Sequence, residues 1–180
     1  MALYTRKGDG GTSGLFGTKE RQPKDSPIYH ALGTVDELNS LLGLCRAKAA
    51  AVTDPVRLAE EILEVQGHLF IVQAELAGAD KAIEQKHIDI LEEIIERVEA
   101  HIENPHAFVI PGANEISAQF DVARAVSRRT ERVVLEAVTA GVELADETRA
   151  YLNRISSFLY ACARFTASLP GSHESSPTYE

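Results

Sequence analysis

Four arginines fall within nine residues: Arg124, Arg128, Arg129 and Arg132. Asp121, Arg124, Arg128 and Glu131 follow at steps of three, four and three, so on a helix they share one face. Guanidinium forks bind phosphate oxygens in pairs, and several together suit a triphosphate. The same spacing suits a solvated face tied by intrahelical ion pairs, and from spacing alone that is the simpler reading. A second candidate lies at the start of the chain. Residues 1–24 hold Arg6, Lys7, Lys19, Arg21 and Lys24 against Asp9 and Glu20, a balance of +3, while the other 156 residues carry −12. Gly8, Gly10, Gly11, Gly14 and Gly17 share the segment with the hydroxyls of Thr5, Thr12, Ser13 and Thr18. Glycine lets backbone N–H groups converge on one point, and such a nest attracts anions. Composition alone is equally compatible with a disordered basic tail. Standard phosphate motifs do not fit. The segment has Gly17-Thr18-Lys19 where a P-loop needs Gly-Lys-Ser/Thr, and Gly8-Asp9-Gly10-Gly11-Thr12-Ser13 ends in serine.

Other polar positions carry weaker signals. Asn153 and Arg154 interrupt an apolar run that includes Ile155, Phe158 and Leu159. An asparagine facing a bundle interior would need a partner. A di-iron bundle needs Glu-x-x-His on two helices and a Glu on two more. Glu84-Gln85-Lys86-His87 supplies one such half-motif, and Glu103-Asn104-Pro105-His106 matches in letters but contains a helix-breaking proline. His30, His68, His101 and His173 form no ligand spacing, and His68 reads as a packed or surface residue. No metal ligands are assigned. Cys45 and Cys162 form no C-x-x-C pair, which excludes a zinc knuckle or redox motif and fits a reducing cytoplasm.

The elements that must position these residues read as helices. The chain has 180 residues, enough for one domain with its own core. From about Ile28 onward apolar residues recur at three- and four-residue spacing. A first helix is expected from near Ile28 to Ala51, using Leu38, Leu41, Leu42 and Cys45. Thr53-Asp54-Pro55 reads as the start of a second, through Leu58, Ile62, Val65, Leu69 and Val72 to Gly78. A third covers about Ala82 to Glu103 and ends at Asn104-Pro105. Phe108-Val109-Ile110-Pro111-Gly112 is an apolar connector, Asn114 caps a fourth helix running to Gly141, and Asp146 caps a fifth ending before Pro170-Gly171. No long stretch alternates, so no sheet is expected. The divisions are an arm over 1–27, a bundle over 28–170 and a loose tail over 171–180, together one domain. With 18 basic and 27 acidic residues the net charge is −9, which argues against nucleic-acid binding. No segment approaches the ~20 apolar residues of a membrane span, and the first residues lack the apolar stretch of a secretory signal, so a cytoplasmic protein is expected.

Ordered blocks then give a resemblance. Residues 4–17, from Tyr4-Thr5-Arg6-Lys7-Gly8 to Gly17, and Pro23-Lys24-Asp25 are similar to the N-terminal signature of PduO-type ATP:cob(I)alamin adenosyltransferases. Gly33-Thr34-Val35-Asp36-Glu37-Leu38-Asn39-Ser40 resembles that family's helix-one motif, and Phe108-Val109-Ile110-Pro111-Gly112 its F-x-x-P-G connector. Residues 122–132 resemble its central arginine motif, and Tyr151-Leu152-Asn153-Arg154-Ile155-Ser156 its last signature. The blocks come in the family's order and span nearly the whole chain. There are departures: Lys7 and Gly10 replace other residues, Lys19 is an extra residue before the P-K-D block, Asp121 replaces a frequent histidine, and Thr130 replaces a common alanine.

The resemblance implies an all-α, five-helix bundle with ferritin-like up-down packing behind a Gly-rich loop, assembled as a homotrimer with sites between subunits. The implied reaction transfers the 5′-deoxyadenosyl group of ATP to the cobalt of cob(I)alamin and releases triphosphate, with Mg²⁺ as cofactor. On this resemblance Thr5, Arg6, Lys7, Gly8, Ser13, Gly14, Lys24, Arg128, Arg129, Thr130, Glu131, Arg132 and Asn153 are expected at ATP. Arg128, Lys24 and Glu131 are the expected catalytic residues. Phe108 is expected against the corrin, displacing its lower axial ligand, and Asp36 and Arg124 as a pair bridging subunits. A reductase and an adenosylcobalamin-dependent client enzyme are the implied protein partners. Two other functions stay open at this point: a non-enzymatic adenosylcobalamin carrier on the same fold, and a di-iron bundle.

Overall fold

Five helices follow from the apolar spacing: α1 (Pro27–Ala49), α2 (Leu58–Leu76), α3 (Gln85–Glu99), α4 (Glu115–Thr139) and α5 (Asp146–Ala167). They come from a computed structural model that describes residues 4–52, 54–103 and 108–179. Helix α1 packs on α2 and α4, and α5 packs on α4 and α3, while α2 and α3 touch only lightly. The core runs along these contacts, with Leu38 and Leu42 from α1, Ile62 and Leu69 from α2, Leu91 and Ile94 from α3, Phe120 from α4 and Ile155 and Phe158 from α5, all at most 1% exposed. The buried positions on α4 include Phe120, Ala123, Ser127, Thr130, Val134 and Ala137, a stripe at three- and four-residue steps. Most of them are small, so α1 and α5 approach α4 closely.

Helix α4 begins and ends as its sequence predicts. The Asn114 side chain accepts from Ser117 N at 2.8 Å and the Ser117 hydroxyl accepts from Asn114 N at 3.1 Å, a reciprocal cap. Gly141 stops the helix at φ 101°, where any other L-residue would be strained. Two other starts differ from expectation. Helix α2 begins at Leu58 rather than at Pro55 because the Asp54 carboxylate accepts from Val56 N and Leu58 N, holding the chain in a turn first. Its expected neighbour Thr53 lies outside the described residues. Helix α3 begins at Gln85 because Glu84 is its cap: Glu84 N donates to His87 Nδ1 at 2.9 Å. The Glu84-x-x-His87 spacing, weighed above as half of an iron site, is thus occupied by helix capping. His106 and the Asn104-Pro105 stop lie outside the described residues, and α3 itself ends at Glu99. At α5, Ala145 rather than Asp146 is the cap residue, and its N–H is taken by Glu75 Oε1 at 2.7 Å.

Two expectations are corrected. A short antiparallel ribbon exists, β1 (Thr12–Gly14) with β2 (Arg21–Pro23), pairing Thr12 with Pro23, Ser13 with Gln22 and Gly14 with Arg21. Three residues per strand are too few to show alternation, and a side chain, Arg21, supplies much of the closure. The tail is not loose throughout: Ile110 pairs with Ser175 as an isolated bridge, and Glu174 pairs with buried Arg164. No described helix is long and apolar enough to cross a membrane.

Buried polar groups stitch α2, α3 and α5 together. His68 Nδ1 and the Tyr151 hydroxyl are 2.9 Å apart, the His87 ring stands edge-on to His68 at 4.7 Å, and Glu64 lies 3.7 Å from His68 Nε2. Burial, then the neighbouring His87, pull the His68 pKa below its ordinary 6.5, against a smaller opposing effect of Glu64. The unfolded chain therefore takes up this proton first as pH falls. The His68 contribution is complete above pH 6.5 and is lost as pH drops through that value towards the lower folded pKa. The urea midpoint is expected to fall between pH 7.5 and 5.5, and less so in His68→Gln; identical pH profiles would contradict this. Burial also pushes the Cys45 thiol up to about 12 and the Cys162 thiol well up, so both stay protonated and unreactive.

Candidate functional site

The glycine arm is folded, and Arg21 holds it. Its Nη2 donates to Lys7 O at 2.8 Å and Thr12 O at 2.6 Å, and its Nε to Thr12 Oγ1 at 3.0 Å. The loop between is closed by Asp9 N to Arg6 O and Gly11 N to Gly8 O, each 3.2 Å, with Arg6 in the left-handed region at φ 60°. Lys24 N donates to Gly11 O at 2.9 Å, which sets the lysine stem across the loop. A Cβ on Gly8 would stand 3.0 Å from Lys24 Nζ, so glycine there leaves room for the ammonium. Thr5, Arg6, Lys7, Gly14 and Lys24 are exposed, and Gly8 and Ser13 are half-buried. Arg21 was counted above only as charge; its role shows in the contacts. Arg21→Ala is expected to speed amide exchange at Gly11 and Lys24 by about tenfold without lowering Tm, and unchanged exchange would refute the clamp.

Helix α4 places Arg128, Arg129 and Arg132 on the surface and Glu131 at half burial. Asn153 on α5 donates its amide to Glu131 Oε1 at 3.0 Å, so the two expected site residues on different helices meet. The Asn153 carbonyl accepts from Arg154 Nη1 at 3.3 Å, and Arg154 is itself tied to Glu92 on α3 at 2.7 Å. Arg129 is tied to Glu37 on α1 at 2.6 Å. Arg128 and Arg132 form no ion pair among the described residues. Asp25 of the arm and Pro27 and His30 of α1 line a recess of about 210 Å³ with Val133 and Glu136 of α4.

Thr130 departs from expectation. It is fully buried, and its hydroxyl donates to Val126 O at 3.0 Å and lies 3.3 Å from Thr34 O on α1. It is a packing residue of the α1–α4 contact, turned inward because it falls on the buried stripe. Asp121, grouped above with the arginine face, is also turned inward: 8% exposed, it receives both bonds of Arg164 Nη2 at 3.0 Å. Arg124 is half-buried, and its Nε is buried with no hydrogen-bond partner among the described residues, while Asp36 is exposed on α1. Phe108 is 80% exposed on the connector before α4.

Apart from Thr130, Asp121 and Arg164, these residues are exposed or half-buried. A cleft of about 930 Å³ opens at the other loops, between Glu75, Asp80, Glu84, His87 and Leu144, and contains none of the expected site residues. A triphosphate bound on the arginine face would need a second wall.

Comparison with known proteins places the chain. Residues 3–166 match the family model described as cobalamin adenosyltransferase. A corrinoid adenosyltransferase of Citrobacter freundii is 41% identical over 93% of this chain and 96% of its own. The corrinoid adenosyltransferase PduO of Salmonella typhimurium is 41% identical over 91% of this chain, which spans about half (49%) of that longer protein. A variant PduO-type ATP:corrinoid adenosyltransferase from Lactobacillus reuteri, solved with cobalamin and ATP, superposes with a TM-score of 0.86 at 25% identity, covering 99% of this chain and 97% of that one. With the family model matching residues 3–166 and a relative 41% identical over nearly its whole length, the chain belongs to the cobalamin adenosyltransferase family.

Proposed function

We propose that this protein transfers the 5′-deoxyadenosyl group of ATP to cob(I)alamin, forming adenosylcobalamin and triphosphate. Family membership over residues 3–166 carries the reading. The cobalt(I) centre of the substrate is a strong nucleophile and attacks carbon 5′; the C5′–O5′ bond breaks and its electron pair leaves with triphosphate. The protein supplies no nucleophile. Its work is to hold carbon 5′ in line with cobalt and to stabilise charge growing on the leaving group.

The glycine arm, with Thr5, Arg6, Lys7, Gly8, Ser13 and Gly14, folds over the nucleotide, and Lys24 meets its phosphates. Arg128 and Arg132 hold the triphosphate, since neither is consumed by an ion pair among the described residues. Arg129, tied to Glu37, orients the face. Glu131, steadied by Asn153, faces the nucleotide beside them. No group of three or more His, Cys, Asp or Glu side chains that could cage a metal occurs among the described residues. That donor set fits Mg²⁺ carried mainly on phosphate oxygens and water, with Glu131 as a protein carboxylate beside the arginines of α4. Bound there, Mg²⁺ would neutralise charge on the triphosphate.

Phe108 stands ready to meet the corrin face and displace the lower axial ligand, which eases reduction of cobalt to the attacking state. The site is completed by a neighbouring copy in a homotrimer. Two features support that: most of the site residues lie on an open surface, and Arg124 Nε is buried without a hydrogen-bond partner among the described residues while Asp36 is exposed to meet it across an interface. Acting on cob(I)alamin, the enzyme depends on a reductase, and its product serves an adenosylcobalamin-dependent enzyme.

Mixing the protein anaerobically with ATP, Mg²⁺ and chemically reduced cobalamin is expected to give a light-sensitive cobalt–carbon product and one triphosphate per product. Binding of both substrates without product would favour the carrier reading instead.

A further inference from the structure

The connector that carries Phe108 is not held by packing of that ring, which is 80% exposed. It is held by the C-terminal tail. Ile110 N donates to Ser175 O at 2.8 Å, and the two residues pair as an antiparallel bridge. Gly112 turns the chain at φ 109°, and two residues on Asn114 donates its amide to Ser172 Oγ at 2.7 Å and to Thr166 O at 2.6 Å. Beside Ser175, the Glu174 carboxylate accepts from Arg164 Nη1. Arg164 is 4% exposed and its other fork is taken by both oxygens of Asp121 on α4. Its guanidinium also lies 5.4 Å from the centre of the Tyr160 ring. The tail is thus pinned to α4, α5 and the connector at three successive points, and the middle one is an ion pair whose arginine is buried.

We propose that the segment Ser172–Tyr179 is a positioning strap for the corrin-side aromatic. Arg164 clamps Glu174, Glu174 places the adjacent Ser175 carbonyl, and that carbonyl fixes Ile110, two residues from Phe108. Glu174 and Arg164 are positioning residues in this scheme and touch neither substrate. The proposal rests on the reading of Phe108 as the group that meets the corrin.

The test compares Glu174→Ala, Glu174→Gln, a chain ending at Gly171, and Phe108→Ala, each as the full assembly. Asp121 still pairs Arg164 in all four, so the bundle is retained. KM is measured separately for cob(I)alamin and ATP, and the loss of the lower axial ligand from cob(II)alamin in the presence of ATP is read by electron paramagnetic resonance. Glu174→Ala and the shortened chain are expected to raise KM for cobalamin about fivefold and to lower the ligand-free fraction, with KM for ATP within about twofold of the parent. Glu174→Gln still accepts from Arg164 and is expected to stay near the parent. If Phe108→Ala shifts the cobalamin parameters and Glu174→Ala does not, or if Glu174→Ala moves both KM values together, the strap is wrong and the reading of Phe108 stands. If Phe108→Ala itself leaves KM for cobalamin and the resonance signal unchanged, the reading of Phe108 fails and the strap falls with it.

Discussion

Replacing Arg128 with alanine is expected to lower kcat/KM for adenosyl transfer by about a hundredfold, the usual loss when one fixed donor to a developing negative charge is removed. The reason lies in its surroundings. Arg129 is tied to Glu37 at 2.6 Å and Arg154 to Glu92 at 2.7 Å, so both serve the fold. Arg128 has no ion pair among the described residues and is exposed on the same helix. A guanidinium left uncommitted by the fold is available to a triphosphate. Its removal is therefore expected to leave Tm unchanged. Arg128→Lys keeps the charge but loses the fork, and should fall between the two. Steady-state kinetics with ATP and reduced cobalamin check this, and an unchanged kcat/KM would remove Arg128 from the site.

The largest loss of stability is expected at Arg164. With side chains 3% and 8% exposed, Arg164 and Asp121 form an ion pair out of reach of water. Arg164→Met leaves the Asp121 carboxylate desolvated and alone, which costs about 3–5 kcal/mol. Urea unfolding should show the midpoint fall with little change in slope. Adding Asp121→Leu removes the orphaned charge, and the double variant should recover much of the loss. A single variant as stable as the parent would show that the pair is not buried in solution.

Both predictions depend on residues whose types were visible in the sequence but whose directions were not. Helix α4 was legible because its start and stop signals are local: the cap joins Asn114 to Ser117, three residues on, and Gly141 acts on its own backbone. The starts of α2 and α3 were misplaced because a side chain took over the role given to the backbone pattern: Asp54 held a turn past Pro55, and Glu84 became a cap with His87. The same local cap explains why a metal half-motif was seen there. The ribbon and the pinned tail were missed for a different reason. Arg21 to Lys7 and Arg164 to Glu174 join residues 14 and 10 apart with at least one partner outside any helix, a separation at which no periodicity operates. In the site, the arginines and Asn153 could be named in advance, but the Glu131–Asn153 contact joins two helices and needed the fold. Thr130 is turned inward although it sits among exposed charged residues. Counting from Phe120 through Ala123 and Ser127 places it on the buried stripe instead.

The −9 net charge of the chain and its affinity for a nucleotide are compatible because the positive charge is local. The arm concentrates it near Lys24, and α4 concentrates it at Arg128 and Arg132. An extended polyanion would meet the acidic remainder of the surface, whereas a single triphosphate need only meet these two groups.

The central claim is that the bond made is between cobalt and carbon 5′ of ATP. It is tested most directly with ATP carrying ¹³C at that carbon, mixed anaerobically with the protein, Mg²⁺ and cob(I)alamin, and followed by NMR of the corrinoid product. The label is expected on a cobalt-bound carbon, illumination is expected to release it, and unlabelled triphosphate is expected to accumulate in equal amount. Label remaining in ATP, or appearing in a nucleotide that still carries phosphate, would contradict it.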